Sequence, residues 1–190
     1  GGDGTLGPDG VALVEEFDRL GVILDLVHTA DTAVEQALDH YGRPVFVSHG
    51  NCRALVPHDR QMSDSQIRAI AERDGVVGGG LDSWMIVKDY ARGCARRENP
   101  SLEDLACHID HLCQITGASR HAGIGSDLDG GFGTEQCPRD VETIADLQRL
   151  GGILSKRGYS DADIDGVFHG NFLRFFTANL PHVPVETVAV

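Results

Sequence analysis

Two apolar runs that each end in a histidine constrain the fold of this 190-residue chain more than any other feature. Residues 22–27 lead into His28, and residues 44–48 lead into His49. Continuous β-branched runs of this length are typical of parallel strands covered by helices on both faces. Because parallel strands end on the same side of a sheet, we expect the two imidazoles to lie side by side. Metal sites of (β/α) barrels are built in this way.

Predicted strands and helices alternate along the rest of the chain. The predicted strands are residues 22–27, 44–48, 76–81 and 121–126, and the predicted helices are residues 11–20, 32–41, 101–116, 139–157 and 161–178 with one more helix beginning at Ser63. We expect four side chains to cap helix starts, namely Asp9, Thr32, Ser63 and Ser101. Repeated strand–helix units indicate an α/β fold with a parallel sheet. Four units fit half of a (β/α)₈ barrel or a small open sheet, and the pattern does not choose between them.

The charge and cysteine content narrow the possible partners. With 29 acidic and 16 basic residues the net charge is −13, which disfavours nucleic acid and anionic membrane surfaces as partners. No apolar run approaches the roughly 20 residues that span a bilayer. The five cysteines are scattered without a C-x-x-C pair, so we expect reduced thiols and a cytoplasmic location.

Two loop residues could work beside a metal. Asp127 ends the fourth predicted strand, followed closely by Asp129 and two glycines, and a carboxylate there could act as a general base or acid. Helix capping is an equally good explanation for a single such aspartate. Arg60 lies in the loop after His49 and could clamp a substrate carboxylate, although a lone loop arginine is more often a solvated surface residue.

A Cys107-His108-x-x-His111-x-Cys113 segment resembles a zinc cluster but lies inside a predicted amphipathic helix. On a helix the two histidines share one face while the cysteines project elsewhere, so we interpret the segment as structural. The sequence Asp127-Leu-Asp-Gly also resembles the start of a calcium-binding loop. Phe132 and Pro138 occupy positions that such a loop reserves for Gly and Glu, which excludes calcium.

Taken in order, these motifs resemble the renal (membrane) dipeptidase family of zinc dipeptidases. The similar segments are Leu-Asp-Leu-Val-His28, Pro-Val-Phe-Val-Ser-His49, Asp59-Arg60-Gln-Met, His108-Ile-Asp-His-Leu, Gly-Ile-Gly-Ser-Asp127-Leu-Asp129-Gly and His169-Gly-Asn171-Phe-Leu-Arg-Phe. They run from about residue 4 to about residue 177. The resemblance therefore covers nearly the whole chain.

The resemblance implies a (β/α)₈ barrel of the amidohydrolase type that hydrolyses dipeptides through hydroxide held between two zinc ions. By motif, His28 and His49 match the histidines that hold the second zinc. Arg60 matches the arginine that binds the terminal carboxylate of the dipeptide. Asp127 matches the aspartate that binds substrate and handles the proton of the attacking water. These roles come from the family likeness and not from the spacing alone.

The family's H-x-D pair, bridging glutamate and oxyanion-binding histidine have no counterpart in this sequence. The chain thus resembles the C-terminal half of the enzyme, strands 5 to 8, over residues 1–178, with a tail over residues 179–190. We expect it to supply ligands for one zinc and to be inactive alone. Its expected partners are a dipeptide substrate and either an N-terminal half barrel or a second copy in a homo-oligomer. A non-catalytic half-barrel assembly module and another kind of amidohydrolase remain alternatives.

Overall fold

The computed structural model describes residues 4–128 and 130–181, in which helices surround a small parallel sheet. The strands are β1 Phe46–Val47, β2 Val76–Gly79 and β3 Ala122–Ile124. The α-helices are α1 Gly7–Leu20, α2 Asp31–His40, α3 Asp64–Glu72, α4 Ser83–Ile86, α5 Leu102–Thr116, α6 Arg149–Lys156, α7 Asp161–Asp165 and α8 Asn171–Asn179. Short 3₁₀ turns cover Arg96–Glu98, Ser119–His121 and Ile144–Gln148, and a π-helical turn covers Gly166–Gly170.

The sheet has the order β1-β2-β3, with both pairs parallel. The first predicted strand is reduced to a single parallel bridge between Asp25 and Phe46, supported by hydrogen bonds from Leu26 N to Phe46 O and from Phe46 N to Leu24 O. Four parallel segments thus follow one another across the sheet in chain order. The α/β class and the parallel sheet are confirmed, while the barrel stays a prediction.

Two of the four expected helix caps are present. Ser63 accepts a hydrogen bond from Gln66 N, and the Gln66 side chain accepts one from Ser63 N. Ser101 is the N-cap of α5, where the Asp104 carboxylate accepts from the Ser101 amide and hydroxyl. These boxes satisfy amides that the first helical turn leaves without partners.

The caps predicted at Asp9 and Thr32 are wrong. Helix α1 begins earlier than expected, at Gly7, with Pro8 in its first turn and Asp9 inside that turn, where a carboxylate still favours the positive helix end. Helix α2 begins at Asp31, so Thr32 also lies within the helix. The Asp31 carboxylate binds the side chains of Arg53 and Gln66 instead of capping.

The C-terminal region is less regular than predicted. The expected helix over residues 139–157 is a 3₁₀ turn followed by α6, and the expected helix over residues 161–178 contains the π-helical turn between α7 and α8. Helix α8 lies against the sheet through its phenylalanines. The ring of Phe46 is 5.5 Å from that of Phe175 and 5.2 Å from that of Phe176, centroid to centroid. The tail beyond residue 181 lies outside the described residues.

The core lies between the sheet and helices α2, α3, α5 and α6. Buried side chains from these elements belong to one cluster with Val45 and Val47, which flank Phe46 and alternate with it in direction along the strand. In the described part of the chain no helix is long and apolar enough to cross a membrane. All five cysteines are free. The segments that follow the carboxyl ends of β1 and β3 are long, residues 48–63 and 125–143, and they contribute polar residues to that edge of the sheet.

Candidate metal and substrate site

His28 and His49 meet at the carboxyl edge of the sheet, as the sequence predicts. Their Nε2 atoms lie 3.2 Å apart, and their ring centroids are 5.1 Å apart at an interplanar angle of 67°. His28 follows the Asp25 bridge, and His49 follows β1 by two residues. Pairing of the two segments, with Leu26 N bonded to Phe46 O, is what brings the imidazoles together.

The spacing of the two nitrogens fits a shared metal ion. Two ligands about 2.0–2.1 Å from a tetrahedral zinc lie roughly 3.3 Å from each other. The observed 3.2 Å between the Nε2 atoms matches this separation. Within residues 4–128 and 130–181, no group of three or more His, Cys, Asp or Glu side chains could hold a metal ion. The pair therefore fits one part of a metal site and not a complete one.

His49 is prepared to act as a neutral ligand. Burial lowers its pKa, and the neighbouring Arg60 and His28 lower it further, whereas Asp127 and Asp25 raise it. The imidazole is therefore neutral near pH 7, the form that binds a metal. The Ser48 hydroxyl lies 3.0 Å from Nδ1 of His49 and can hold the tautomer that leaves the Nε2 lone pair free.

Asp127 lies beside this pair, also as predicted. Its Oδ2 is 3.6 Å from Nε2 of His49, and its side chain is 27% exposed, so solvent and substrate can reach it. A Cβ on Gly130 would lie 2.1 Å from Oδ1 of Asp127, so only glycine leaves room for this carboxylate. Asp127 and His28 both adopt positive φ, 55° and 57°, a conformation uncommon outside glycine and found at functional sites. Asp129 lies outside the described residues.

Arg60 reaches the same edge of the sheet from its loop. Its Nη2 donates to His49 O at 3.2 Å and lies 3.5 Å from Nε2 of His28. Burial lowers the pKa of the guanidinium, partly offset by the carboxylates of Asp127, Asp25 and Asp82. An arginine remains charged under any physiological condition. The site thus holds a cation poised to bind an anionic group.

The sequence reasoning missed the buried polar residues that hold the Arg60 loop. Asn51 and Gln61 are 2% and 1% exposed. Asn51 exchanges hydrogen bonds with the Gly80 backbone and donates to Met85 O, while Gln61 accepts from Asn51 N and also donates to Met85 O. Nothing in the local sequence distinguishes these amides from solvated loop residues. Only the distant backbone partners reveal their role.

Asp25 was also missed, although a signal was present. It is the one charged residue inside the apolar run 22–27. Its Oδ1 accepts hydrogen bonds from Val27 N at 3.1 Å and Ser48 N at 3.0 Å. Asp25 thereby ties the backbone just before His28 to the residue just before His49. A partly buried carboxylate within an apolar run needs such partners, which is the clue that the sequence offered.

The residues of the Cys107–Cys113 segment serve the structure, in agreement with their interpretation as structural. His108 is 3% exposed. Its Nδ1 accepts from Cys52 N at 3.0 Å, and its Nε2 lies 2.8 Å from Ile86 O, so both ring nitrogens are used by backbone groups. His111 lies 3.0 Å from Asp64 at the start of α3. Helix α5 is anchored to its neighbours by both residues.

Comparison with known proteins identifies the family of the chain. The family model described as membrane dipeptidase (peptidase family M19) matches residues 2–181. The chain is 36% identical over 172 residues to the dipeptidase aclJ of Aspergillus oryzae and 30% identical over 186 residues to dipeptidase 3 of Rattus norvegicus. These alignments cover 90% and 94% of this chain but only 38% and 36% of those proteins.

Solved structures are likewise matched by most of this chain but over only part of their own length. A metallopeptidase from Rhodobacter sphaeroides, determined with a phosphinate mimic of the dipeptide L-Ala-D-Ala, superposes with a TM-score of 0.81 at 25% identity. The match covers 93% of this chain and 50% of that one, so the chain spans about half of the structure it resembles. With the family model matching nearly its entire length, the chain belongs to the membrane dipeptidase family of metallopeptidases, peptidase family M19.

Proposed function

We propose that this chain is the metal-binding and substrate-binding C-terminal portion of a zinc-dependent dipeptidase. The observation that carries the proposal is the 3.2 Å separation of the His28 and His49 Nε2 atoms, with Arg60 and Asp127 at the same edge of the sheet. In a chain of family M19 this constellation is best explained as one side of the catalytic centre. When bound, zinc would supply Lewis acidity and lower the pKa of a water molecule.

Arg60 and Asp127 would bind the substrate and transfer protons. The Arg60 guanidinium would bind the terminal carboxylate of the dipeptide and orient it, because it is fixed at His49 O and presents a charged fork. The Asp127 carboxylate, beside His49, would accept a proton from the attacking water and deliver one to the leaving amine. The mimic bound by the Rhodobacter sphaeroides enzyme suggests dipeptides with a D-residue at the C-terminal position.

The second part of the proposal is that a further half is needed for activity. Among the described residues, the Asp25 segment pairs only with β1, and β3 pairs only with β2, which leaves two edges that a closed barrel would join. The metal pair lacks a third ligand in the same part of the chain. We propose that four more strands, from an N-terminal half or a second copy in a homo-oligomer, close the barrel. Free cysteines suit assembly in the reducing cytoplasm.

Reconstitution tests this proposal. The 190-residue chain is mixed or co-expressed with the N-terminal half of a family member, and zinc content and hydrolysis of L-Ala-D-Ala and Gly-D-Ala are measured. We expect weak zinc binding and no hydrolysis by the chain alone, and two zinc ions with hydrolysis by the reconstituted pair. Asp127→Asn in the pair should lower kcat by about 10²-fold or more while leaving the zinc content unchanged.

Three results would count against the proposal. Hydrolysis by the purified chain alone would refute the need for a second half. A folded pair that binds no zinc would favour the non-catalytic assembly module. Full activity of the Asp127→Asn pair would remove Asp127 from the chemistry.

A further inference from the structure

We infer that Arg53 is the positioning residue that fixes Arg60 and the His28 loop relative to each other. Arg53 lies in the loop after His49, seven residues before Arg60. Its guanidinium contacts the backbone on both sides of Arg60 and the first residue of α2. No motif in the sequence pointed to Arg53, and its role as a positioning residue rests on the function proposed for Arg60.

Arg53 contacts the residues on both sides of Arg60 in the sequence. Nη2 donates to Asp59 O at 3.1 Å and to Gln61 O at 2.7 Å, and Nε donates to Gln61 O at 3.0 Å. The accepting carbonyls belong to the residues immediately before and after Arg60. The backbone amide of Arg53 also donates to Met62 O at 2.9 Å. Arg53 therefore contributes to the course of the chain through Arg60 with both its side chain and its backbone amide, alongside Asn51 and Gln61.

The same guanidinium reaches the loop that carries His28. Nη1 and Nη2 of Arg53 donate to Oδ2 and Oδ1 of Asp31, both at 2.7 Å, in a bidentate pair. Asp31 follows His28 by three residues and begins α2. Gln66 Nε2 donates to Oδ1 of Asp31 at 2.8 Å, and Arg53 holds the pKa of the Asp31 carboxyl below its usual value. Arg53 thus links the two loops by donating to Asp31, Asp59 and Gln61, with one Nη2 hydrogen shared between acceptors.

The planar fork of arginine is essential to this arrangement. Lysine keeps the charge but offers a single point donor, which cannot bind Asp31 bidentately and also reach two carbonyls. Without the fork, Arg60 would lose its fixed position near Nε2 of His28, now 3.5 Å away. We therefore expect the loss of the fork to weaken substrate binding at Arg60 more than it slows the chemical step. A displacement of about 1 Å at such a clamp is enough to cost a large factor in binding or rate.

A matched control lies at the other end of the sheet. Arg174 donates to the Asp74 carboxylate at 2.6 Å and to Arg120 O at 3.1 Å, so it also joins an acid to the backbone. Its side chain is 30% exposed, compared with 26% for Arg53. Replacing Arg174 by lysine also removes guanidinium contacts to a carboxylate and to the backbone, although fewer of them. Only Arg53 borders the candidate site.

The experiment compares Arg53→Lys with Arg174→Lys in the full 190-residue chain by NMR. The readouts are the Arg60 guanidinium signal, assigned with Arg60→Lys, and the imidazole signals of His28 and His49. We expect Arg53→Lys to shift or broaden all three and Arg174→Lys to leave them unchanged. Zinc affinity should fall about tenfold in Arg53→Lys alone. In the reconstituted enzyme KM should rise roughly tenfold with kcat nearly unchanged.

The outcomes separate this inference from the proposed function. The NMR signals need neither zinc nor hydrolysis, so they test the positioning role even if the chain binds no metal. Unchanged signals in Arg53→Lys, or equal changes in both variants, would overturn the inference. If Arg53→Lys does not fold, Asp31→Asn is used instead, because it removes the bidentate ion pair by changing the acceptor. This variant should shift the His28 signal. An unmoved His28 signal in folded Asp31→Asn would equally overturn it.

Discussion

Gly125 lies so close to Ser48 that a Cβ at position 125 would be 1.8 Å from the Ser48 carbonyl oxygen. Ser48 directly precedes His49, so this approach sets the distance between the metal-binding edge of β1 and the chain that leads to Asp127. A Cβ on Gly78 would meet the same oxygen at 2.3 Å. The glycines of these strands allow three backbones to converge beneath the site.

We predict that Gly125→Ala destabilises the protein by about 1–3 kcal/mol or more, because backbone must move to admit the methyl group. Gly152 in α6 is the control, since a Cβ there would have nothing within 4 Å. Gly152→Ala should stabilise the fold by about 0.5–1 kcal/mol through its helix preference. Urea unfolding of the two variants measures both effects. Equal free energies of unfolding for Gly125→Ala and Gly152→Ala would show that the close approach to Ser48 does not exclude a side chain at position 125.

A second prediction concerns the histidine pair. His28→Ala and His49→Ala should each reduce zinc affinity of the chain by more than about tenfold, because each removes one of two nitrogens placed 3.2 Å apart. His40→Ala is the control, because His40 lies on α2 and pairs with Glu15 instead. Calorimetric titration with zinc measures the change. An unaltered affinity in either site variant would contradict a shared metal.

The sequence predicted some local features and the histidine pair, but it did not reveal most contacts between distant residues. The Ser63 capping box was predictable because all its atoms lie within four residues. Thr32 carries the same pattern, yet α2 begins one residue earlier, where Asp31 is bound by Arg53, 22 residues away. The histidine pair was found because both members end apolar runs. Asn51 and Gln61 could not be found, because their partners at Gly80 and Met85 are distant in sequence.

The thiols provide a third prediction. Burial raises the pKa of the Cys52 thiol to about 12, and burial also raises that of Cys137. The thiolate is the reactive form, so both should resist iodoacetamide in the folded protein. Cys107 is exposed and should react first. Mass spectrometry after timed labelling, with and without urea, measures the order. Rapid native labelling of Cys52 would show that the loop beneath the site opens readily.

A fourth prediction concerns the pH dependence that His108 imposes on stability. Burial lowers the pKa of His108, and its Nδ1 is committed to accepting from Cys52 N. A proton on Nδ1 would face that amide hydrogen, so the folded protein holds the neutral ring. The unfolded chain has an ordinary histidine pKa of about 6.5 and binds a proton below it. The folded state thus carries fewer protons, and its stability falls as the pH drops through about 6.5 towards the lowered folded pKa.

Through His108 the free energy of unfolding changes by at most about 1.4 kcal/mol per pH unit. This pH dependence ends once the pH is low enough to protonate the ring in the folded protein as well. His108→Gln should be less stable than the parent by about 1–3 kcal/mol at neutral pH, since one of two buried hydrogen bonds is lost. The deficit should shrink between about pH 7 and about pH 5, because glutamine does not titrate. Urea unfolding across this range measures the difference. A constant deficit would mean that the folded and unfolded chains bind the same number of protons at His108, so that folding does not lower its pKa.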